Sequence, residues 1–422
     1  MAVRVCGAGK RLIPGSGDGQ GAAMTDVEEL ICAILRGENP QWPSREREEF
    51  ASRFLERSAY HGVQALVHHR LQETGSGGGG WGMPRAVSEA CRNQAFAQAM
   101  WELRHRWLLQ QALGRLSKIG ARPVLFKGTA LAYSLYPAPF LRTRGDTDLV
   151  IPPDQRDRAI RELGSLGLIR QPNVSGEFIT YEAGFEWIDS VSHQEHVLDL
   201  HWRISNSEFL SHLLSYEEVC AETETLPGLS TEAIAVRPVY ALLLACLHPA
   251  VHQQVPYYVD GVRHYGGDRL IWFYDIHCLL GKLSASECRE FAELAERKGL
   301  RMTCRESVER ARTLFGTLLP ESADRALSLP GSPGRADRYL QASASCRFRA
   351  DFQAIAGMRN KLQFLVELCF PPEPYMRWKY AGAKPRWLPW LYLRRAGARL
   401  RRIFGITPGR SSRNRSHCAP IR

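Results

Sequence analysis

Apolar residues recur at helical spacing over the N-terminal part of the chain. Thr25 can cap a first helix. The apolar face of this helix is predicted to carry Val27, Leu30, Ile31 and Ile34. A second helical segment follows from Glu48 to about residue 72. Residues 85–119 contain one glycine and no proline, so we expect a long helix that ends at Gly120.

The middle of the chain changes to short apolar runs, which are typical of strands. Strands are predicted at residues 123–126, 147–151, 178–181, 185–188 and 196–202. Helices are predicted over 129–135 and over 153–166, the second with Asp154 as its cap. From Pro238 the spacing is helical again. Helices are predicted over residues 240–247, 269–280, 301–315 and 351–369, with one more that opens at Ser284 or Ser286.

The length of the chain predicts more than one structural unit. With 422 residues, it exceeds the size at which a single hydrophobic core usually stops growing. Glycine-rich residues 75–80 are predicted to form a flexible linker. The predicted divisions are 1–23, disordered or a mis-assigned start; 24–118, an N-terminal helical region; 119–230, a strand-containing core; 231–370, a C-terminal helical domain; and 371–422, a basic tail.

The net charge of +11 comes from the C-terminal end. Thirteen Lys and Arg and no Asp or Glu lie from Pro374 onward, so the rest of the chain is close to neutral. A nucleic-acid-binding fold normally carries its positive charge on the folded body. Nucleic acid is therefore an unfavoured partner.

The basic tail has an amphipathic pattern over residues 386–404, where Trp and Leu alternate with arginines at roughly helical spacing. This is typical of a helix on an anionic membrane surface. Packing on the protein body with solvated arginines is equally consistent with the pattern, and contact with nucleic acid is a third interpretation. No apolar run is long enough to span a membrane, and no leader-like segment opens the chain. We expect a cytoplasmic protein, peripheral at the inner membrane if the tail binds lipid.

Two carboxylates mark the candidate chemistry. Asp146 and Asp148 are two residues apart at the start of a predicted strand, so they share one face and repel each other unless a cation lies between them. Asp199 lies in another predicted strand, on the same face as Val197 and His201. The three aspartates predict a Mg²⁺ site, and Mn²⁺ would suit the same oxygen ligands. The competing interpretation is that Asp146 and Asp148 cap a turn.

A candidate phosphate site precedes these carboxylates. Gly128 lies between a predicted strand and a predicted helix, where a residue without Cβ lets a phosphate approach. The Thr129 hydroxyl and the following N–H groups would face that anion. Lys127 can bind a phosphate or form a salt bridge with an aspartate. Arg142 and Arg144 compete for a phosphate or acceptor contact.

Other polar residues have ordinary structural explanations. Asp275 lies in an apolar helix and needs a partner, which we expect to be an Arg or His of another helix. His248 and His252 are spaced to ligate a metal, but Pro249 disturbs the helix between them. His201 can be an imidazole that supports the metal ligands without binding metal.

These motifs resemble a family of bacterial nucleotidyltransferases of the polymerase-beta type. The shared pattern is Lys127-Gly128, Arg142, the run Gly145-Asp146-Thr147-Asp148-Leu149 and the run Asp199-Leu200-His201-Trp202. The resemblance is clearest over residues 115–205, and its usual Gly-Ser pair is Gly128-Thr129 here. It implies an α+β fold with a small mixed β-sheet core, flanked by N-terminal helices and a C-terminal helical domain. It favours Arg142 over Arg144 as the nucleotide-binding arginine.

The resemblance implies a Mg²⁺-dependent enzyme that transfers a nucleoside monophosphate from an NTP to an acceptor. Asp146, Asp148 and Asp199 would be catalytic and metal-binding, and Lys127, Gly128, Thr129 and Arg142 would bind the nucleotide. Related proteins suggest a small-molecule, peptide or saccharide acceptor in a bacterial biosynthetic pathway. The alternatives are an antitoxin-like enzyme that modifies a protein or tRNA, and a non-catalytic nucleotide-binding or membrane-docked adaptor.

Overall fold

The computed structural model describes residues 25–43, 47–73, 82–174, 176–259, 261–382 and 387–403. The predictions for residues 1–23, for the linker at 75–80 and for the end of the tail lie outside these ranges. No described helix combines the length and the apolar character that crossing a lipid bilayer requires.

Four helices form the N-terminal part: α1 (Asp26–Leu35), α2 (Arg47–His61), α3 (Gln64–Glu73) and α4 (Arg85–Lys118). The cap predicted at Thr25 is confirmed. Its Oγ1 accepts a hydrogen bond from the Glu28 N–H at 3.3 Å, and the Glu28 carboxylate accepts one from the Thr25 N–H at 3.1 Å. The long helix ends beside Gly120, whose φ of 79° is left-handed, as predicted.

The centre is a seven-stranded sheet. Its strands are β1 (Val124–Phe126), β2 (Asp146–Val150), β3 (Ile169–Arg170), β4 (Glu182–Ile188), β5 (Glu195–His201), β6 (Thr223–Thr225) and β7 (Ile234–Val236). Their order is β3-β4-β5-β2-β1-β7-β6. The pairs β2–β5 and β1–β7 are parallel and the other pairs are antiparallel. The predicted α+β fold with a mixed sheet is confirmed, and the sheet continues past residue 230 through β7.

Short helices connect the strands of the sheet. They are α5 (Lys127–Leu135), α6 (Arg156–Ser165), α7 (Glu208–Ser211) and α8 (Tyr216–Ala221). The cap predicted at Asp154 is wrong, because a 3₁₀ turn, Pro153–Gln155, precedes α6 and its side chains make no capping bond.

The strand predicted at residues 178–181 is also wrong. The backbone N–H groups of Glu177 and Phe178 donate to the Glu367 carboxylate, each at 3.0 Å, instead of to a neighbouring strand. A side chain from far along the sequence satisfies this backbone, and β4 begins only at Glu182.

Ten helices and a hairpin follow the sheet in the described ranges. They are α9 (Pro238–His252), the hairpin β8 (Tyr257–Val259) and β9 (Val262–His264), α10 (Leu270–Lys282), α11 (Ala285–Arg297), α12 (Arg301–Phe315), α13 (Glu321–Ser328), α14 (Arg335–Gln341), α15 (Ala344–Ala354), α16 (Met358–Cys369), α17 (Glu373–Lys379) and α18 (Leu388–Ile403). Ser284 caps α11, one of the two predicted alternatives. The single helix predicted at 351–369 is wrong: α15 and α16 are separated at Gly357, whose φ is 79°.

Apolar cores cover both faces of the sheet. Phe126 of β1 and Val150 of β2 pack with the N-terminal helices and with α9 to α12 in the larger core. On the opposite face, Leu149, Leu198 and Leu200 pack with the second half of α4 and with α6. Because side chains alternate along a strand, Asp148 points to the face of the larger core, toward the C-terminal helices.

Candidate active site

The candidate site lies where β2 and β5 run side by side. In their parallel register Asp148 is paired with Asp199, so the strand placement predicted for Asp199 is confirmed. Carboxylate oxygens of both and a ring nitrogen of His201 lie within 4.8 Å of one another. Asp146 lies exposed at the start of β2, on the same face but outside this close cluster. The structure thus brings two of the three predicted carboxylates into contact range.

One oxygen of Asp148 has two nitrogen partners. Lys127 Nζ donates to Oδ1 at 2.6 Å, and His201 Nε2 lies 2.9 Å from the same atom. The salt bridge considered for Lys127 is therefore present. Although burial opposes it, the charge of Lys127 holds the pKa of Asp148 well below its usual range. Lys127 reaches this position with a left-handed φ of 56°, uncommon for a residue with a side chain.

The other two carboxylates are less favourably placed for ionisation. Although Asp146 as a residue is exposed, desolvation of its carboxyl group by the surrounding atoms and then the charge of Asp148 raise its pKa. Burial, followed by the charges of Asp146 and Glu182, raises the pKa of Asp199 well above its usual range. A bound divalent cation would offset the repulsion between these crowded carboxylates and favour their charged forms. These oxygen donors therefore fit Mg²⁺ or Mn²⁺.

Glu182 is a fourth acidic residue at the site, and sequence reasoning missed it. It is the first residue of β4 and is paired with His201 in the antiparallel register. Its Oε2 lies 3.4 Å from His201 Nδ1. Gly184, two residues on, is paired with Asp199, and a Cβ at Gly184 would lie 3.2 Å from the Asp199 carboxylate. Strand alternation puts Glu182 and Gly184 on one face, but only the register shows that this face is the site.

The packing of Gly128 and Thr129 differs from the phosphate site that the sequence predicts. A Cβ at Gly128 would lie 2.7 Å from Arg142 Nη1, so the missing side chain makes room for a guanidinium. Thr129 is fully buried, and its hydroxyl accepts from Arg144 Nε at 2.8 Å and lies 2.7 Å from Thr147 Oγ1. The hydroxyl that the sequence placed toward an anion faces the interior instead.

Both candidate arginines have buried carboxylate partners. Arg142 Nη2 donates to Asp275 at 2.7 Å, and the Tyr136 hydroxyl donates to the same carboxylate at 2.6 Å. The predicted partner of Asp275 is thus an arginine, though it follows a 3₁₀ turn, Pro139–Leu141, instead of lying in a helix. Arg144 pairs with Glu102 of α4 at 2.8 Å.

The polar network below the strands continues to two histidines. His105 Nε2 lies 2.6 Å from Thr147 Oγ1, and His105 Nδ1 lies 3.2 Å from His196 Nδ1. Burial lowers the pKa of both histidines. This network lies on the face of the sheet opposite the Asp148 side chain and holds Thr147 of β2 in place. In contrast, the rings of His248 and His252 pack on each other and on Trp272, and no cluster of metal-ligand type in the described residues includes them.

Comparison with known proteins identifies the family. The model of the family described as uncharacterised nucleotidyltransferase matches residues 48–316. The chain belongs to this family. It is therefore a nucleotidyltransferase with an NTP as substrate, and the match includes all the predicted site residues. No curated protein and no solved structure matched the chain.

Proposed function

We propose that this nucleotidyltransferase moves a nucleoside monophosphate from an NTP to an acceptor hydroxyl or phosphate at Asp148 and Asp199, with release of pyrophosphate. The observation that carries the proposal is the direct pairing of these two carboxylates on adjacent parallel strands, with Lys127 bound to one of them. Asp146, Asp148 and Asp199 would hold Mg²⁺, and Mn²⁺ would suit the same ligands. The metal would supply charge stabilisation at the transferred phosphate.

Lys127 and the start of α5 would bind the triphosphate. A phosphate near Gly128 would meet the N–H groups of the first helical turn, which carry no intrahelical partner. Lys127 would exchange part of its contact with Asp148 for the phosphate as the cation takes over that carboxylate. Arg142 packs against Gly128 and would add positive charge while keeping Asp275 as its partner. Thr129 would contribute its backbone N–H, since its hydroxyl is engaged inside.

Asp199 would accept the proton from a hydroxyl acceptor. The acceptor oxygen attacks the α-phosphorus, the bond between the α- and β-phosphates breaks, and pyrophosphate leaves with the electron pair. Asp199 lies opposite Asp148 and, within the described ranges, makes no ion pair with a cationic side chain, so one of its oxygens could take the proton while the other binds the metal. Fixed charges around the α-phosphate supply the remaining stabilisation.

For the acceptor, we propose a small molecule, peptide or saccharide of a bacterial biosynthetic pathway, which rests on the family resemblance. The basic charge of the chain lies beyond Pro374, outside the family match, so nothing in the matched region favours a nucleic acid.

The test is transfer from NTPs labelled at the α-phosphate, with Mg²⁺ and pools of candidate acceptors. The double variant Asp146→Asn/Asp148→Asn should lose transfer by roughly 100-fold or more, because it removes two anionic metal ligands. Asp154→Asn, an exposed carboxylate in a 3₁₀ turn, is the matched control and should keep full activity. Undiminished transfer in the double variant would sink the assignment.

Label that moves to a co-purifying protein or tRNA would favour the antitoxin-like alternative, and nucleotide binding without turnover would favour the adaptor.

A further inference from the structure

A row of apolar residues runs along the exposed side of α16. Met358, Leu362, Val366 and Phe370, which directly follows the helix, occur at every fourth residue and have exposed fractions between 51% and 79%. The buried side of the same helix carries Phe364 and Leu368. A two-sided apolar helix at the surface of a protein normally has something covering its outer side.

The two helices that follow also expose large apolar side chains. Trp378 of α17, Trp387, and Trp390 and Leu393 of α18 have exposed fractions between 44% and 66%. Trp390 and Leu393 are three residues apart on one side of α18, and Trp387, which directly precedes the helix, continues the same spacing. Leu391 and Arg395 occupy its buried side. Four large aromatic or aliphatic groups therefore face solvent within a short stretch of chain.

This region is strongly basic. The chain from Pro374 to its end has thirteen Lys and Arg and no acidic residue. Arg377 pairs with Glu373 at 2.6 Å, and Lys379 and Arg394 are exposed among the tryptophans. Even in the interior, Arg395 has two nitrogens, Nε and Nη2, without a hydrogen-bond partner. Its Nη1 donates to the Tyr375 hydroxyl at 3.5 Å, and no ion pair of Arg395 occurs in the described ranges. The charge calls for an anionic partner.

Hydrogen bonds join α15 and α16 to the part of the chain that contains the sheet. Glu367 of α16 accepts from the two backbone N–H groups that precede β4, and Asp351 of α15 accepts from the Phe209 N–H at 3.0 Å. The Tyr392 hydroxyl donates to the Pro371 carbonyl at 2.7 Å, which joins α18 to the start of α17. The exposed apolar groups are therefore presented on a folded surface.

We propose that α16, α17 and α18 form a surface that docks on an anionic phospholipid bilayer. The C-terminal docking surface is defined by Met358, Leu362, Val366, Phe370, Trp378, Trp387, Trp390 and Leu393. Tryptophans insert at the level of the headgroups, aliphatic groups reach the acyl boundary, and the arginines contact lipid phosphates. A second copy of the chain would bring a second basic surface against the first, and the two would repel each other. The docking does not depend on the proposed catalytic assignments.

The test is cosedimentation of the full chain with phosphatidylcholine vesicles that contain about one-third phosphatidylglycerol, against vesicles of phosphatidylcholine alone. Binding should require the anionic lipid and weaken with salt. Trp387→Ala/Trp390→Ala/Leu393→Ala should weaken it by about 10-fold or more. Lys379→Gln/Arg394→Gln should weaken it by about 20- to 30-fold, since each basic residue near the surface contributes about 1 kcal/mol.

The matched control is Phe96→Ala/Leu103→Ala, which removes two equally exposed apolar residues from α4. It should bind vesicles like the wild type, and all variants should keep the wild-type circular dichroism and thermal unfolding. Absent binding to the anionic vesicles, equal binding to neutral ones, or an equal loss in the α4 control would overturn the proposal. So would a stable dimer in light scattering that the tryptophan variant dissociates, or RNA binding that outcompetes the vesicles and depends on the same two basic residues.

Discussion

At the residue scale, the two paired aspartates differ in whether a cationic side chain lies beside them. Asp148 Oδ1 has the Lys127 ammonium and the His201 imidazole as partners, whereas Asp199, directly opposite, has no cation of its own at such a distance among the described residues. One carboxylate is therefore stabilised in its charged form and the other is not, as the opposite directions of their pKa shifts show. Without metal, the charge of Asp199 opposes folding.

Replacing Asp199 by Asn should accordingly stabilise the metal-free protein while abolishing transfer. Because the pKa of Asp199 is higher in the folded protein than in the unfolded chain, its ionisation costs stability at every pH above its folded pKa. The free energy of unfolding should rise by about 1 kcal/mol or more at neutral pH, a typical cost of a buried polar group without a partner. Urea unfolding of both proteins without metal measures the difference.

The pH dependence provides the control for this variant. As the pH falls from the raised pKa of Asp199 in the folded protein toward its lower pKa in the unfolded chain, the cost decreases, and below the unfolded pKa it is gone, so the two proteins should converge in stability. Added Mg²⁺ should stabilise the wild type more than the variant. A variant that is less stable than the wild type at neutral pH would show that Asp199 ionises without cost.

At the element scale, Gly114 and Gly357 each lie within a predicted helix, but only Gly114 is inside a helix of the structure. Gly114 lies inside α4 with helical geometry, and a Cβ there would meet no atom within 4 Å. Gly357 precedes α16 with a φ of 79°, and a Cβ there would also meet no atom. Free space is thus equal at both positions, and only the backbone conformation differs.

Alanine at these two positions should therefore act in opposite directions. Gly114→Ala should raise the free energy of unfolding by about 0.5–1 kcal/mol, because it removes backbone entropy from the unfolded chain without strain. Gly357→Ala should lower it by about 1 kcal/mol, since a left-handed φ disfavours a Cβ. Thermal unfolding of the pair, each serving as the other's control, measures both effects. A stabilised Gly357→Ala would mean that α15 and α16 can merge into one helix.

The sequence predicts elements well where a local signal is complete. The Thr25 cap, the span of α4 and the alternation around Asp199 each depend on residues close in the chain, and each is confirmed. The strand predicted at 178–181 failed because Glu367, nearly two hundred residues later, binds that backbone. Glu182 and Gly184 were missed for a related reason: strand register decides what lies opposite them, and register is not written in local spacing.

At the scale of the whole molecule, the N-terminal helices, the sheet and the C-terminal helices share one apolar core. The ion pair of Arg142 and Asp275 is one of the polar contacts between these parts of the chain. It joins the segment before β2 to α10, and both side chains are almost completely buried. The geometry of the site thus depends on a helix far along the sequence.

Breaking this buried pair should destabilise the whole protein. Arg142→Gln and Asp275→Asn should each lower the free energy of unfolding by about 3–5 kcal/mol, because each leaves one buried charge without its partner. The loss of unfolding free energy in the double variant should be smaller than the sum of the two single losses. Urea unfolding of all four proteins measures this difference as a coupling energy.

The kinetics of the same four proteins separate the two roles of Arg142. If Arg142 also contacts the triphosphate, as we propose, KM for the NTP should rise more in Arg142→Gln than in Asp275→Asn, which keeps the guanidinium but loosens it. Asp275→Asn serves as the control for the loss of packing, since both single variants break the same contact. Equal rises in KM would mean that Arg142 acts only through the position of the segment before β2, and that Lys127 and the start of α5 hold the phosphates without it.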